Sequence, residues 1–313
     1  MFQGRYFFKK LDEIATEVSK EVLVRSFAGL PNDAAISQSG DYRVYLIAPE
    51  HAAESAILRE IGRLREITFR AIGEGTGKDV DLDEYDDYFH QLVLWDTNNK
   101  MIVGAYRLGM GPEIYKAKRA KGFYIRSLFK IKSKGEYLLA EGLEMGRAFI
   151  REEYQMRPTP LFLMWKSILK IVLQRDDLKY IFGCISISNA FSQTSRSLIT
   201  AYIKKYYFDA EYSQYVKPKI EYKADLNPVA HRVLESAMPN DVKGLEKIVR
   251  KFEPSGVRFP VLVKKYLSQN ARVVGFNRDP KFGNSLDGFM YINVNHLPEK
   301  TLKLVIDELD QAL

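Results

Sequence analysis

Between Arg65 and Arg147, basic and acidic residues alternate along the chain, each set beside sequence apolar enough to belong inside a fold. Leu64-Arg65-Glu-Ile-Thr-Phe69 is followed by Asp81-Leu-Asp83-Glu-Tyr-Asp86, then Gly104-Ala-Tyr-Arg107-Leu108, then Glu144-Met-Gly-Arg147. An unpaired ion next to a core costs several kcal/mol or more, so these charges must find one another. The reading is that Arg65, Asp83, Asp86, Arg107, Glu144 and Arg147 form one ion-pair network that fixes the wall of a substrate cleft.

The chain around that stretch is long enough, at 313 residues, to bury a large core, and 46% of it is hydrophobic. A single cysteine, Cys184, rules out an internal disulfide and fits a reducing cytosol. It stands in the apolar run Tyr180–Ile185, where an inert buried thiol is expected. The first ten residues lack the apolar run of a signal peptide, and Lys166 and Lys170 interrupt the most apolar window, Leu161–Leu173. A cytoplasmic protein, peripheral on a membrane at most, is the expectation. The formal charge of +7 favours an acidic partner, whether nucleic acid, an anionic membrane or an acidic carrier protein.

Taken in order, residues 5–26 carry Phe7, Leu11, Ile14, Val18 and Val22 at helical spacing, which predicts an amphipathic helix lying on the body of the protein or on a membrane. Residues 29–40 read as a loop, Tyr42–Ile47 as the first strand, and the segment after Pro49 as a helix. The strands His90–Asp96 and Met101–Leu108 flank Thr97-Asn-Asn-Lys100, a hairpin turn by composition. The glycines at 73–77 have neither the preceding strand nor the following Lys-Ser/Thr of a phosphate-binding loop. Eight cations fall within the nineteen positions 116–134, with no acid among them, and aromatic residues are interleaved. Lys116, Lys118, Arg119, Lys121, Arg126 and Lys130 are therefore read either as a solvated face or as a docking surface for an anionic partner. Leu161–Leu173 reads as a buried helix, or as one that lines an acyl tunnel. Tyr180–Ser186 reads as a strand, and helices are expected at Thr194–Lys204, Val242–Phe252, Pro260–Ser268 and Glu299–Leu313. Strands are expected at Ala271–Phe276 and Gly288–Val294. The proline-rich stretch 205–255 looks like an insertion or lid. Hairpin strands early and helices between later strands make a mixed α/β sheet, mostly antiparallel and flanked by helices.

The four histidines stand alone, so no metal site is expected. No Gly-x-Ser-x-Gly elbow and no Gly-x-Gly-x-x-Gly fingerprint occur. Direct transfer between two bound substrates remains, a chemistry that needs orientation and a proton acceptor.

Leu64-Arg65-x-x-x-Phe69, Asp83-x-x-Asp86, Gly104-x-x-Arg107-Leu108 and Glu144-x-x-Arg147 together resemble the acyl-homoserine-lactone synthase branch of the GNAT acyltransferase fold. Phe182-Gly-Cys-x-Ser186, Phe259-Pro-x-Leu262-x-Lys-Lys-Tyr266 and Gly275-x-x-x-Asp279-Pro-x-Phe282-x-Asn284-x-x-Asp287 resemble another branch, the ornithine-lipid and glycine-lipid N-acyltransferases, also labelled hemolysins. The resemblance covers roughly residues 42–300. With the residue pattern it divides the chain into an N-terminal amphipathic helix and linker over 1–40 and a GNAT-like domain over 41–313, with a helical insertion at about 190–255. It also implies transfer of a 3-hydroxyacyl chain from acyl carrier protein to the α-amine of an amino acid, with no permanently bound cofactor. The tryptophan that lactone synthases carry soon after the first motif is absent. So is the glycine-rich pyrophosphate loop of relatives that use coenzyme A, and a carrier-protein donor fits that absence. The basic segment then has an acidic partner.

Attack on a thioester requires a neutral amine, so a carboxylate must take its proton. Glu144 is the first candidate, with Asp83 and Asp86 next; all three serve equally well as plain ion-pair partners. Arg107 or Arg147 can hold the amino acid's carboxylate through a two-pronged hydrogen bond. Arg65, Phe69, Ser186, Asn284 and Asp287 complete the expected substrate site, though turn chemistry explains Asn284 and Asp287 as well. Two alternatives stay open: a lactone-type signal synthase, and a non-catalytic basic module that binds membranes or nucleic acid.

Overall fold

A computed structural model describes residues 11–224, 228, 231–233, 239, 241–253 and 259–309. Eight strands form one sheet: β1 (Ala35–Ser39), β2 (Tyr42–Ile47), β3 (His90–Asp96), β4 (Met101–Met110), β6 (Gly142–Ile150), β7 (Tyr180–Ile187), β9 (Arg272–Asp279) and β10 (Ser285–Asn293). Their order is β1-β2-β3-β4-β6-β7-β10-β9. A separate ribbon pairs β5 (Phe129–Ile131) with β8 (Val216–Pro218). Every neighbouring pair is antiparallel except β6 and β7. The mixed, mostly antiparallel sheet expected from the sequence is what forms.

Period-two alternation divides the side chains between the two faces of the sheet. Val44, Leu92, Leu94, Val103 and Leu108 join the principal core, packed beneath the helix Pro158–Leu173, which buries Met164, Trp165 and Ile168. Tyr45, Val93, Trp95 and Ala105 belong to a second cluster, covered by α1 (Lys20–Ala28) and α2 (Ala56–Ala71). A third cluster gathers Phe89, Phe123, Phe129, Phe182 and Phe289. The segment 111–139 covers much of it.

Three local expectations change. The helix predicted over 5–26 starts only at Lys20, where Ser19 caps it; its residues 5–10 lie outside the described residues, and 11–19 have no regular secondary structure. There the backbone N–H groups of Asp12 and Ala15 donate to the carbonyls of Gly77 and Asp79, and that of Val18 donates to Glu60 Oε2 at 3.1 Å. Tertiary hydrogen bonds thus override a helical spacing of apolar residues. The loop predicted over 29–40 contains β1, which forms a hairpin with β2. The helix Gln193–Tyr206 places Leu198, Ile199, Tyr202 and Ile203 in buried positions. Val242–Phe252 packs on the same core through Leu245 and Val249, so these two helices are part of the body rather than a lid. The rest of the expected insertion falls partly outside the described residues.

The site lies where β6 and β7 separate. Pairing runs Gly142↔Tyr180, Leu143↔Ile181, Glu144↔Phe182 and Met145↔Gly183, then stops, although β6 continues to Ile150 and β7 to Ile187. On its other edge β6 is bulged: Ala105 faces Phe149 and Arg107 faces Gly146, which leaves one extra residue in β6. Arg147 sits in that bulge with φ +50°, a left-handed conformation rare for a side chain other than glycine. A Cβ placed on Gly146 would meet nothing within 4 Å, so the fork opens onto free space.

Candidate active site at the fork of two strands

The first wall of the fork begins with α2. Ser55 caps it by accepting from Leu58 N–H, and its Ile57, Ile61 and Leu64 face the core. Arg65, on the same helix, is fully buried; it donates to Asp86 Oδ1 at 2.8 Å and to Gln91 Oε1 at 2.7 Å. Asp83 and Asp86 cap each other's backbone around a single helical turn, which holds both carboxylates toward the sheet. From β4, Arg107 Nη1 reaches Asp83 Oδ1 at 2.5 Å and Asp86 Oδ2 at 3.0 Å. From the bulge of β6, Arg147 lies 3.3 Å from Asp83 Oδ2 and 3.0 Å from Asp81 Oδ2. The charges therefore alternate as Arg65, Asp86, Arg107, Asp83, Arg147, Asp81. Burial would raise the Asp86 carboxyl, but Arg65 and Arg107 outweigh it and hold its pKa at about 2.

Rings enclose Arg107 and Arg147. Arg107 stands over Tyr85, Phe89 and Tyr124, at 5.4, 5.6 and 5.6 Å from their centroids. Arg147 lies between Tyr124 at 5.1 Å and Phe282 at 4.3 Å. Desolvation behind these rings strengthens each ion pair and fixes the two guanidinium planes.

Glu144 departs from the expected network. None of its contacts is an ion pair: Oε2 accepts from Tyr124 N–H at 2.9 Å and Oε1 from Ile125 N–H at 2.6 Å. It is 2% exposed, and burial raises its pKa to about 7 despite those two donors. Asp81, left out of the expected network, takes the sixth place. Asp86 is engaged on both oxygens by two arginines, which suits an anchor and not a proton acceptor.

Opposite this wall, Ser186 donates to Asp287 Oδ1 at 2.6 Å across the β7–β10 pair. Ser186 is exposed in mid-sheet, another sign that β6 has moved away from it. Burial raises Asp287 to about 7, with Asp279 adding to the shift. Glu74 is likewise raised to about 7, by burial and then by Asp287 and Asp279. Its glycine-rich turn crosses the end of β7: Ser188 donates to Ile72 O at 2.8 Å, and a Cβ on Gly283 would lie 2.0 Å from Gly73 O. Glycine is required at 283 by that approach and by its φ of +57°. Asn284, exposed with φ +58°, belongs to the same β-turn connection, so turn geometry accounts for it. Phe69 packs against the second apolar cluster. Among the described residues no group of three or more His, Cys, Asp or Glu is placed to hold a metal ion.

Lys116, Lys118, Arg119, Lys121 and Lys130 are exposed, while Arg126 is half-buried and donates to Ile131 O at 2.8 Å. Lys118 and Lys121 line a cleft of about 380 Å³ with Glu84, Tyr85, Asp87 and Tyr88. Tyr85 also packs on Tyr124 at 5.4 Å, which joins this basic surface to the aromatic side of the fork. Glu74, Tyr124, Asp279 and Phe282 were not singled out as site residues in the sequence. The last two lie inside the C-terminal motif, and their spacing to Asp287 was the available signal.

A family model for the GNAT acetyltransferase domain matches residues 64–165, the segment that holds the whole ion-pair chain and Glu144. The chain carries a GNAT domain. It is also similar to curated proteins named glycine N(alpha)-acyltransferase from Phocaeicola vulgatus and Bacteroides thetaiotaomicron. Each is 29% identical over 307 residues; these alignments cover 92% of this chain and 91% and 88% of the two relatives. No solved structure matches the chain significantly. The GNAT domain and the relatives together support N-acyltransferase activity.

Proposed function

We propose that this protein moves a 3-hydroxyacyl chain from acyl carrier protein onto the α-amine of glycine, the first step toward an amino-acid-containing membrane lipid. The observation that carries this reading is a buried carboxylate, Glu144, one residue pair before β6 and β7 part. The thioester lies in the fork, and the neutral amine attacks its carbonyl carbon. The new C–N bond forms, the C–S bond breaks, and the amine proton passes to Glu144 directly or through one water. The departing thiolate takes up a proton as the carrier thiol. A carboxylate with pKa near 7 is matched to that task, because it is ionised at neutral pH yet basic enough to accept a proton.

Beyond Met145 the edge of β6 that faces β7 has no strand partner. Its backbone N–H groups supply donors for the oxyanion of the tetrahedral intermediate. Arg147, fixed between two rings, receives the amino acid's carboxylate, and Asp287 with Ser186 faces its ammonium. The exposed Lys116, Lys118, Arg119 and Lys121 attract the acidic carrier protein. The names of the two relatives favour glycine over ornithine as acceptor.

The test combines purified protein with 3-hydroxyacyl carrier protein and single amino acids, and follows free thiol together with product mass. Thiol release that depends on glycine, with N-acylglycine formed, is expected. Release with no amino acid, or transfer to ornithine but not glycine, contradicts the reading.

A further inference from the structure

The ribbon of β5 and β8 joins two basic segments that are far apart in sequence. Its inward residues, Phe129 and Ile131, are buried, and Phe129 packs on Phe289 of β10 at 5.4 Å. Its outward residues are lysines, Lys130 and Lys217, and Lys132 and Lys219 follow directly after the two strands; all four are exposed. Lys130 and Lys217 are direct partners across the antiparallel pair. Like charges placed opposite each other oppose the pairing, so the ribbon keeps an arrangement that its own stability disfavours. That arrangement suits an anionic surface outside the protein.

We infer that this ribbon docks the protein on an anionic lipid bilayer. Three features favour lipid over an acidic protein. The outward face carries ammonium groups on flexible stems and no guanidinium, which suits mobile phosphate headgroups better than the fixed carboxylates of a folded partner. Apolar and amphipathic side chains flank the lysines: Ile220 is 39% exposed and Tyr137 45%. Beyond Tyr137 a cleft of about 810 Å³ is lined by Tyr180, Tyr215 and Tyr291, rings of the kind that settle at the headgroup level of a membrane, with Lys134 and Arg272 beside Asp209 and Glu211. Among the described residues no helix is long and apolar enough to cross a membrane, so attachment through this surface is peripheral. The inference stands on the ribbon alone, whatever acceptor the active site uses.

The experiment is co-sedimentation of the full chain with vesicles of pure phosphatidylcholine and with vesicles containing phosphatidylglycerol, at low and high salt. The wild type is expected to bind only the anionic vesicles and to be released by salt. A Lys132→Gln, Lys217→Gln, Lys219→Gln variant with an unchanged melting temperature is expected to bind them about a hundredfold more weakly, given roughly a factor of five per lysine near such a surface. Its transfer rate from soluble acyl carrier protein should equal that of the wild type. Equal binding to both vesicle types, no binding to either, or undiminished binding by the variant would overturn the inference. So would a variant whose defect appears only as weaker use of the carrier protein, since the ribbon would then belong to protein docking.

Discussion

The two walls of the fork hold similar numbers of acids and treat them in opposite ways. On the α2 and β4 side, Asp81, Asp83 and Asp86 alternate with Arg65, Arg107 and Arg147, and Asp86 is held at about 2. On the other, Glu144, Asp287 and Glu74 meet backbone N–H groups, a serine hydroxyl or one another, and burial lifts all three to about 7. An acid in direct contact with an arginine is a strut; a buried acid without that contact is able to take a proton. The same residue type thus serves architecture on one side and chemistry on the other, and the nearest cation decides which.

The largest effect expected from this contrast is on stability. Asp86→Ala leaves Arg65 and Arg107 buried without a shared partner and should cost about 3–5 kcal/mol in denaturant unfolding. A loss below about 1 kcal/mol would show that the ion-pair wall is not structural. The pH dependence of stability should run in opposite directions for the two walls. For Glu144 the folded pKa exceeds the unfolded one, so between about 4.5 and 7 the folded state binds the extra proton and stability falls as pH rises. Asp287 and Glu74 add to that fall. Asp86 is depressed from 3.8, so its contribution is present above that value and lost as pH drops toward about 2. Glu144→Gln should therefore be more stable than wild type at pH 8, by about 1–3 kcal/mol, and lose part of the slope between pH 5 and 7. Chemical denaturation across that range checks the sign.

Smaller effects sharpen the division. Arg147→Lys keeps the charge but loses the planar contact with Tyr124 and Phe282, so KM for glycine should rise by about tenfold with kcat less affected. Ser186→Ala removes one hydrogen bond to Asp287 and should change turnover by about tenfold at most, with stability shifted by roughly 1 kcal/mol. Steady-state kinetics on folded variants separates the two.

Much of the first wall was legible because apolar neighbours marked its charges as interior. Arg65, Asp83, Asp86, Arg107 and Arg147 do converge. Asp81 opens the acidic motif but was left out of the expected network, and it pairs with Arg147. The partner of Glu144 was misjudged, because a carboxylate can be satisfied by backbone N–H groups that carry no signature in sequence. Glu74 lies in a glycine-rich turn without apolar periodicity, and only the packing of that turn against 280–284 brings it to the site. β6 had no strand assigned, since Gly146 and the left-handed Arg147 break the alternation that marks a strand. The interruption that hides it from the pattern is the bulge that shapes the fork.

The most direct measurement is the pH profile of kcat/KM for glycine-dependent thiol release, in wild type and in Glu144→Gln. Wild type should lose activity below an apparent pKa near 7. The variant should be folded, slower by about a hundredfold or more, and without that inflection. A folded variant that keeps the wild-type rate and inflection would show that Glu144 only supports the backbone of residues 124 and 125, and the proposed division between the walls would fail.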